Sequence, residues 1–321
     1  MPESKGKKTK DKIAIPVKHL DLWSAKFPIF KVAKDDFHKH FFLKRFLEIP
    51  DAPKEIYFRG KFPTDKHHYL AVVGSRNISP YGKNANKKII SGIMGQNICI
   101  ISGLALGTDG EALNAGLTNN LHTIAIPGSG LSEKLIAPRT NKKIAEAILK
   151  SGGLLLSEFP PDYYTGVWSF PQRNRIMAAL SDAVLLIEAA PKSGTLITAR
   201  LALEYNKDVL CVPGEIFSEN SKGTNKLISE GAKVIRDGND ILDQFRISYN
   251  EENTSKEISF AEIKGLSDTE KSVIKNLNSP IPKEKLAENT GLPINQLLIT
   301  LTMLEMKGFI KEEAGLLRRI R

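Results

Sequence analysis

The chain has 321 residues, enough for about two domains, and its 41% hydrophobic and 26% charged residues are the mix of a globular protein with a sizeable core. It contains no run of ~18 apolar residues to span a membrane, and its opening MPESKGKKTKDK lacks the apolar stretch of a secretory signal. The net charge of +10 is concentrated in residues 1–68, with 16 basic and 9 acidic groups; residues 69–264 carry 21 and 20, so an anion site there must come from local placement.

In chain order, residues 1–12 read as a basic disordered tail, and residues 13–68, of mixed character, as an N-terminal lead-in that packs on the core. From residue 69 a pattern repeats. YLAVVGS (69–75) is an apolar run closed by small residues, followed by a helix-like stretch with Pro80 near its first turn. NICIISG (97–103), HTIAIPG (122–128), GLLLSEF (153–159), AVLLIEA (183–189) and DVLCVPG (208–214) come next, and KVIRD (233–237) makes a seventh, with helix-like segments between them. The runs are rich in Val, Ile and Leu without alternation, as in strands covered on both faces. Strands alternating with helices predict an α/β fold, Rossmann-like, with a mainly parallel sheet and helices on both faces over residues 69–245.

Residues 246–264 are polar and aperiodic through NEENTSKE, the signature of a linker. Beyond it, Ser267 with Glu270 predicts a capping box, and Gly291 stops a second short helix. Ile294, Leu297, Leu298, Leu301 and Leu304 fall on one face of a third. Two short strands around Ala314-Gly315 complete a small winged-helix pattern over residues 265–321. Its third helix offers only Asn295 and Gln296 near its start, and the basic group at Arg318, Arg319 and Arg321 suits only non-specific backbone contact, so this domain is expected to serve protein contacts or regulation.

Ligands of open parallel sheets collect at the carboxyl ends of the strands. Those ends here carry Gly74-Ser75-Arg76, Ser102-Gly103, Gly128-Ser129-Gly130, Ser157-Glu158 and Pro213-Gly214, and the fifth is followed by Lys192 and Ser193-Gly194-Thr195, which opens a helix. Glycines admit a ligand close to the backbone, and helix N-termini offer free N–H groups to anions. Arg76 points into this rim; Arg173 and Arg175 open the helix before the fifth strand, and their convergence on the same crevice is not dictated by the sequence. The dinucleotide fingerprint G-x-G-x-x-G, the phosphate loop G-x-x-x-x-G-K-[ST] and G-x-S-x-G are absent. The six histidines show no metal spacing, His38 and His40 read as surface residues, and no metal or cofactor is expected. Cys99 and Cys211 lie inside apolar strand-like runs, as structural thiols do in a reducing cytoplasm.

The ordered segments AVVGSR, IISGLALGTD, TIAIPGSGL, LLLSEFPP, FPQRNRIMAALSDAVLLIEAAPKSGTLITA, VPG and GTNKLISEGA resemble the bacterial DNA-processing protein A family over roughly residues 40–240. The resemblance implies a Rossmann-like core that binds single-stranded DNA without strong sequence preference, a homodimer, and delivery of the RecA recombinase onto incoming strands in natural transformation. It puts the DNA contacts on Gly74, Ser75, Arg76, Gly128, Ser129, Gly130, Phe170, Arg173, Asn174, Arg175, Lys192, Ser193, Gly194 and Thr195. The chain departs from the family pattern at Leu106, where an arginine is usual, at Thr108, where isoleucine is, and at Ala137, where tyrosine is. The family's N-terminal helical domain is not recognisable in residues 1–40. The rival reading is a nucleotide hydrolase similar to the lysine-decarboxylase-like enzymes. Their motif G-G-x-G-T-x-x-E ends in a catalytic carboxylate, and here Thr198 stands in its place. Glu158 and Glu188 then read as partners for loop N–H groups or for Arg173 and Arg175. A third reading is a sensor of a small nucleotide.

Overall fold

The computed structural model describes residues 13–19, 21–247, 266–277, 281–313 and 315–319, in two compact units, 1–248 and 249–321. The basic tail, almost all of the polar linker, Ala314 and Arg321 lie outside the described residues.

In the first unit, β4 (His68–Val73), β5 (Ile98–Ser102), β6 (His122–Ala125), β7 (Leu154–Ser157), β8 (Ala183–Leu186), β9 (Asp208–Cys211) and β10 (Lys233–Val234) are parallel, in the spatial order β7-β6-β5-β4-β8-β9-β10. The non-alternating sequence of these strands has its reason in the packing. Tyr69, Ala71 and Val73 of β4 join one hydrophobic cluster and Leu70 and Val72 join another on the opposite face. Helices α1 (Pro80–Ser91) and α7 (Gly238–Gln244) contribute to the second cluster, and α4 (Ser169–Leu180) and α5 (Gly194–Glu204) to the first. Each fully buried Leu, Ile or Val side chain adds ~1.5–3 kcal/mol of transfer free energy. A third cluster joins β6 and β7 to α2 (Thr108–Thr118) and α3 (Lys142–Lys150), and α6 (Glu219–Ser229) lies between β9 and β10 in the chain.

The lead-in does more than pack on this sheet. Its strands β1 (Ile15–Pro16), β2 (Phe30–Ala33) and β3 (Glu55–Gly60) extend the sheet antiparallel from β7, making ten strands in all. The short 3-10 helices Lys34–Lys39 and Leu43–Glu48 bury Phe37, Leu43 and Phe46 against the first cluster, with Phe42 between them. The guanidinium of Arg59, fully buried, donates to Leu131 O at 2.9 Å and pairs with Asp21, fastening the lead-in to the core. His40, expected at the surface, is 6% exposed: its Nδ1 accepts from Phe42 N at 3.2 Å and its ring stacks on Phe41, because the turn that sinks Phe42 carries the imidazole in with it.

The second unit has helices α8 (Asp268–Lys275), α9 (Lys283–Thr290) and α10 (Ile294–Met306) and an antiparallel hairpin of β11 (Ile310–Glu313) and β12 (Leu316–Arg319), the winged-helix arrangement. The Ser267–Glu270 capping box is present, and Gly291, at φ +65°, ends α9. On α10 the buried arc is Leu297, Thr300, Leu301 and Leu304. Ile294 and Leu298 do not share it; they are 48% and 42% exposed, since the buried stripe runs one position beside the i, i+4 row that joins them.

Candidate nucleic-acid interface

The first and fifth parallel strands, β4 and β8, are neighbours, and the helices that follow them, α1 and α5, leave to opposite faces of the sheet. A crevice therefore opens at their carboxyl ends. Its volume is about 530 Å³, and it is lined by Gly74, Ser75, Arg76 and Asn77 after β4, by Ala105 and Asp109 around the start of α2, by Phe170, Arg173 and Asn174 of α4, and by Lys192, Ser193, Gly194 and Thr195 at the start of α5. Ten of the sequence-predicted contact residues thus meet in one place.

The local sequence explains how they converge. A Cβ at Gly74 would lie 2.5 Å from Thr108 Oγ1, so glycine lets α2 come up against the end of β4. Thr108 N and Oγ1 both donate to Ser75 O at 3.1 Å. Gly107, with φ +72°, makes the turn into α2. Ser193 caps α5 by accepting from Thr195 N at 3.2 Å, and Thr195 Oγ1 donates to Gly74 O at 3.0 Å, tying the two lips of the crevice together. The α5 N-terminus and Lys192 thus face the crevice from one side. From the other side the exposed Arg76 lays its guanidinium over the ring of Phe170, 4.6 Å from the centroid. Among the described residues no carboxylate pairs with Arg76, so its charge is available to an anion.

The remaining candidates have other surroundings. Arg173 lies in the floor, 4% exposed. Its guanidinium occupies the space a Cβ on Gly103 would need, and its Nη1 contacts Asp109 Oδ2 at 3.4 Å and Met177 Sδ at 3.2 Å. Burial lowers its pKa, opposed by Asp109, so this cation is already compensated. Arg175 does not line the crevice. It pairs with Glu158 and, at 3.2 Å, with Asp51, joining α4 to the end of β7 and to the lead-in. Burial raises the Glu158 pKa despite that partner. Ser129 is 1% exposed and its carbonyl accepts from Ser157 Oγ at 2.7 Å, while Gly130 N donates to Tyr163 O at 2.9 Å. Ser129 thus ties the loop after β6 to the end of β7 and Gly130 ties it to Tyr163, and neither lines the crevice. Gly128 instead lines a smaller recess of about 180 Å³ beside Phe170.

Two features escaped the sequence reading. Asp109 falls in the floor beside Arg173, where Gly107 turns the chain into α2; the glycine before a helix was its signal. The loop before α4 exposes Tyr164, Val167 and Trp168 by 77%, 81% and 82%. Large apolar side chains in the turn-rich PPDYYTGVW were the signal for those.

The carboxylates considered for chemistry are engaged. Glu188, 2% exposed, accepts from Ser79 N at 2.9 Å and from Ser79 Oγ at 2.5 Å. Thr198, at the position where a hydrolase would carry glutamate, lines the crevice. Ser132, His19 and Asp162 stand in relay order, with Ser132 Oγ to His19 Nε2 at 3.2 Å and His19 Nδ1 to Asp162 at 3.6 Å. Ser132 is 3% exposed, however, and the N–H of Glu133 is already given to Asp21 at 2.8 Å, so neither nucleophile nor oxyanion donor is open to a substrate. Among the described residues no group of three or more His, Cys, Asp or Glu is placed to hold a metal ion, and no helix is long and apolar enough to cross a membrane.

Residues 36–246 match the family model described as DNA recombination-mediator protein A, and residues 261–315 match the DprA winged helix domain. The chain is 34% identical to protein Smf of Escherichia coli over 284 residues, 88% of this chain and 75% of that one. It is 38% identical to the DNA processing protein DprA of Streptococcus pneumoniae over 227 residues, 71% and 77% of the two chains. The X-ray structure of the latter superposes with a TM-score of 0.62 at 36% identity, covering 70% of this chain and 76% of that one. A structure of DNA processing protein A from Helicobacter pylori, described by its single-stranded DNA binding mode, superposes with a TM-score of 0.58 at 31% identity, covering 64% and 94%.

Proposed function

The chain belongs to the DNA recombination-mediator protein A family, and we propose that it binds single-stranded DNA in the switch-point crevice and passes the strand to a RecA-type recombinase. The observation that carries this reading is the Arg76–Phe170 pair facing the α5 N-terminus across an open crevice. A cation and the positive end of a helix suit successive phosphates, and an aromatic ring suits a base free to unstack, which a duplex does not offer. Such contacts carry little base information, so binding is without strong sequence preference. The described DNA-binding mode of the Helicobacter pylori relative supports the ligand, and the family's description as a recombination mediator supports the hand-over.

In this reading the protein acts in DNA uptake and recombination, in the cytoplasm, as a homodimer, and it catalyses nothing. Free, buried Cys99 and Cys211 suit a reducing compartment. The occupied state of Glu158 and Glu188 and the presence of Thr198 in place of a catalytic acid argue against nucleotide hydrolysis. The mediator role is tested by adding the protein to a RecA-type recombinase on single strands coated with a single-strand-binding protein. The delay before DNA-dependent ATP hydrolysis should shorten; an unchanged delay at saturating protein removes the mediator role and leaves DNA binding standing.

A further inference from the structure

Helix α1 turns Gly82, Asn86, Ile89 and Ile90 inward, so an asparagine stands in an otherwise small or apolar face. Its neighbours Ile89, Ile90 and Ala85 pack into the second hydrophobic cluster. Asn86 is 1% exposed, and among the described residues its Oδ1 has no hydrogen-bond donor. An unpaired buried polar atom costs ~1–3 kcal/mol, which an aliphatic side chain of the same size would avoid. Asn86 lines a groove of about 290 Å³ between α1 and α2. The groove runs from Lys83 to Ser91 on α1 and from Glu111 to Asn119 on α2, and so is ~12 Å long. It shares no residue with the crevice.

The polar groups of the groove divide into engaged and open ones. Ser91 Oγ donates to Lys88 O at 3.0 Å, Thr118 Oγ1 to Asn114 O at 2.9 Å and Asn119 Nδ2 to Ala115 O at 2.8 Å, so these side chains serve their own helices. Among the described residues the side chains of Asn84, Lys87 and Asn114 make no hydrogen bond. Lys83 and Glu111 pair loosely across the groove at 3.8 Å, which leaves the charge of Lys87 uncompensated. Three amides and one ammonium are therefore open to a ligand. We propose that this groove binds an extended acidic segment of a partner protein, its backbone held by Asn84, Asn86 and Asn114 and a carboxylate paired with Lys87. A side-chain amide both donates and accepts, the complement of a peptide N–H and C=O. About three to four residues of extended chain, at ~3.3 Å each, match the length of the groove. A nucleic-acid strand is the poorer occupant, because no aromatic ring lines the groove to stack on a base.

The test follows the anisotropy of a fluorescein-labelled octapeptide of alternating glutamate and serine, and of its lysine–serine counterpart, as the full chain is added. The wild type should bind the acidic peptide at least about tenfold more tightly than the basic one. Asn86→Leu keeps the size of the side chain without its amide, and Lys87→Glu reverses a charge at an exposed position that does not endanger folding. Each should weaken the acidic peptide by about tenfold or more while binding a thymidine homopolymer as the wild type does. Saturating homopolymer should leave the peptide bound. A wild type that binds both peptides alike, or neither, overturns the proposal. So does either variant that keeps full peptide affinity; in Asn86→Leu that result would mean that water alone satisfies the asparagine. Displacement of the peptide by the homopolymer also overturns it, since the two would then compete for one nucleic-acid site.

Discussion

At the scale of single residues, three arginines that look equivalent in the sequence have three different roles in the fold. Arg76 is exposed and stacked, Arg173 is buried against Asp109, and Arg175 is spent on Glu158 and Asp51. The residues that neutralise the last two are 64 and 17 positions away in the chain for Asp109 and Glu158. Glu158 was one of the partners the sequence offered, whereas no local pattern reveals Asp109; the family resemblance put all three arginines on the DNA. The distinction has a measurable consequence. Arg76→Ala should weaken single-strand binding for all sequences alike and lower the salt slope by ~0.7, one phosphate contact. Arg175→Ala should leave that slope unchanged and cost roughly 3 kcal/mol of stability, because it strands a buried carboxylate. Binding isotherms over a salt series, beside urea unfolding, separate the two; a reduced slope for Arg175→Ala would put that residue back among the phosphate contacts.

At the scale of elements, what was legible is what local chemistry decides. The seven parallel strands followed from unbroken Val, Ile and Leu runs, and the capping box and Gly291 stop from side-chain and backbone preferences. The three strands of the lead-in were not legible, because β3 joins the sheet through β7, about a hundred residues later, and β2 and β1 are added in turn on β3. Histidine burial was equally hidden. His122 opens β6 with Nε2 buried and without a hydrogen-bond partner; burial, with the nearby His67, lowers its pKa to about 4. The unfolded chain takes up a proton near pH 6.5 that the folded chain refuses until about pH 4. Its contribution to stability is therefore whole above pH 6.5 and is lost as the pH falls from 6.5 towards 4, by up to about 3 kcal/mol. His122→Phe, which keeps a ring at the strand start, should show a smaller drop in urea midpoint between pH 7.5 and pH 5 than the wild type. Equal drops in the two proteins would mean that this histidine is already solvated in the fold.

At the scale of the molecule, the proposed reading assigns DNA binding to the first of the two units. The crevice is built wholly within residues 1–248, while α10, the helix a winged helix would lay in a groove, has Glu305 as its sole charged residue and exposes Ile299, Met303 and Met306. Residues 1–248 alone should therefore bind single strands within about tenfold, ~1.4 kcal/mol, of the full chain; a larger loss makes the second unit a principal DNA site. The reach of the sequence at this scale was the order of the strands along the chain, from which glycines at their ends could be gathered on one rim. That β4 and β8 lie side by side, and so set the crevice between Arg76 and the start of α5, belongs to the assembled sheet. The central claim is that this crevice holds an unpaired strand by its phosphates and at least one base. It is tested most directly by titrating the full chain with a single-stranded oligonucleotide and with its duplex, at matched length, over a series of salt concentrations. Clearly tighter single-strand binding is expected at every salt concentration, with affinity falling by ~0.7 log units per log unit of salt for each phosphate neutralised. Equal affinity for strand and duplex at moderate salt would contradict it.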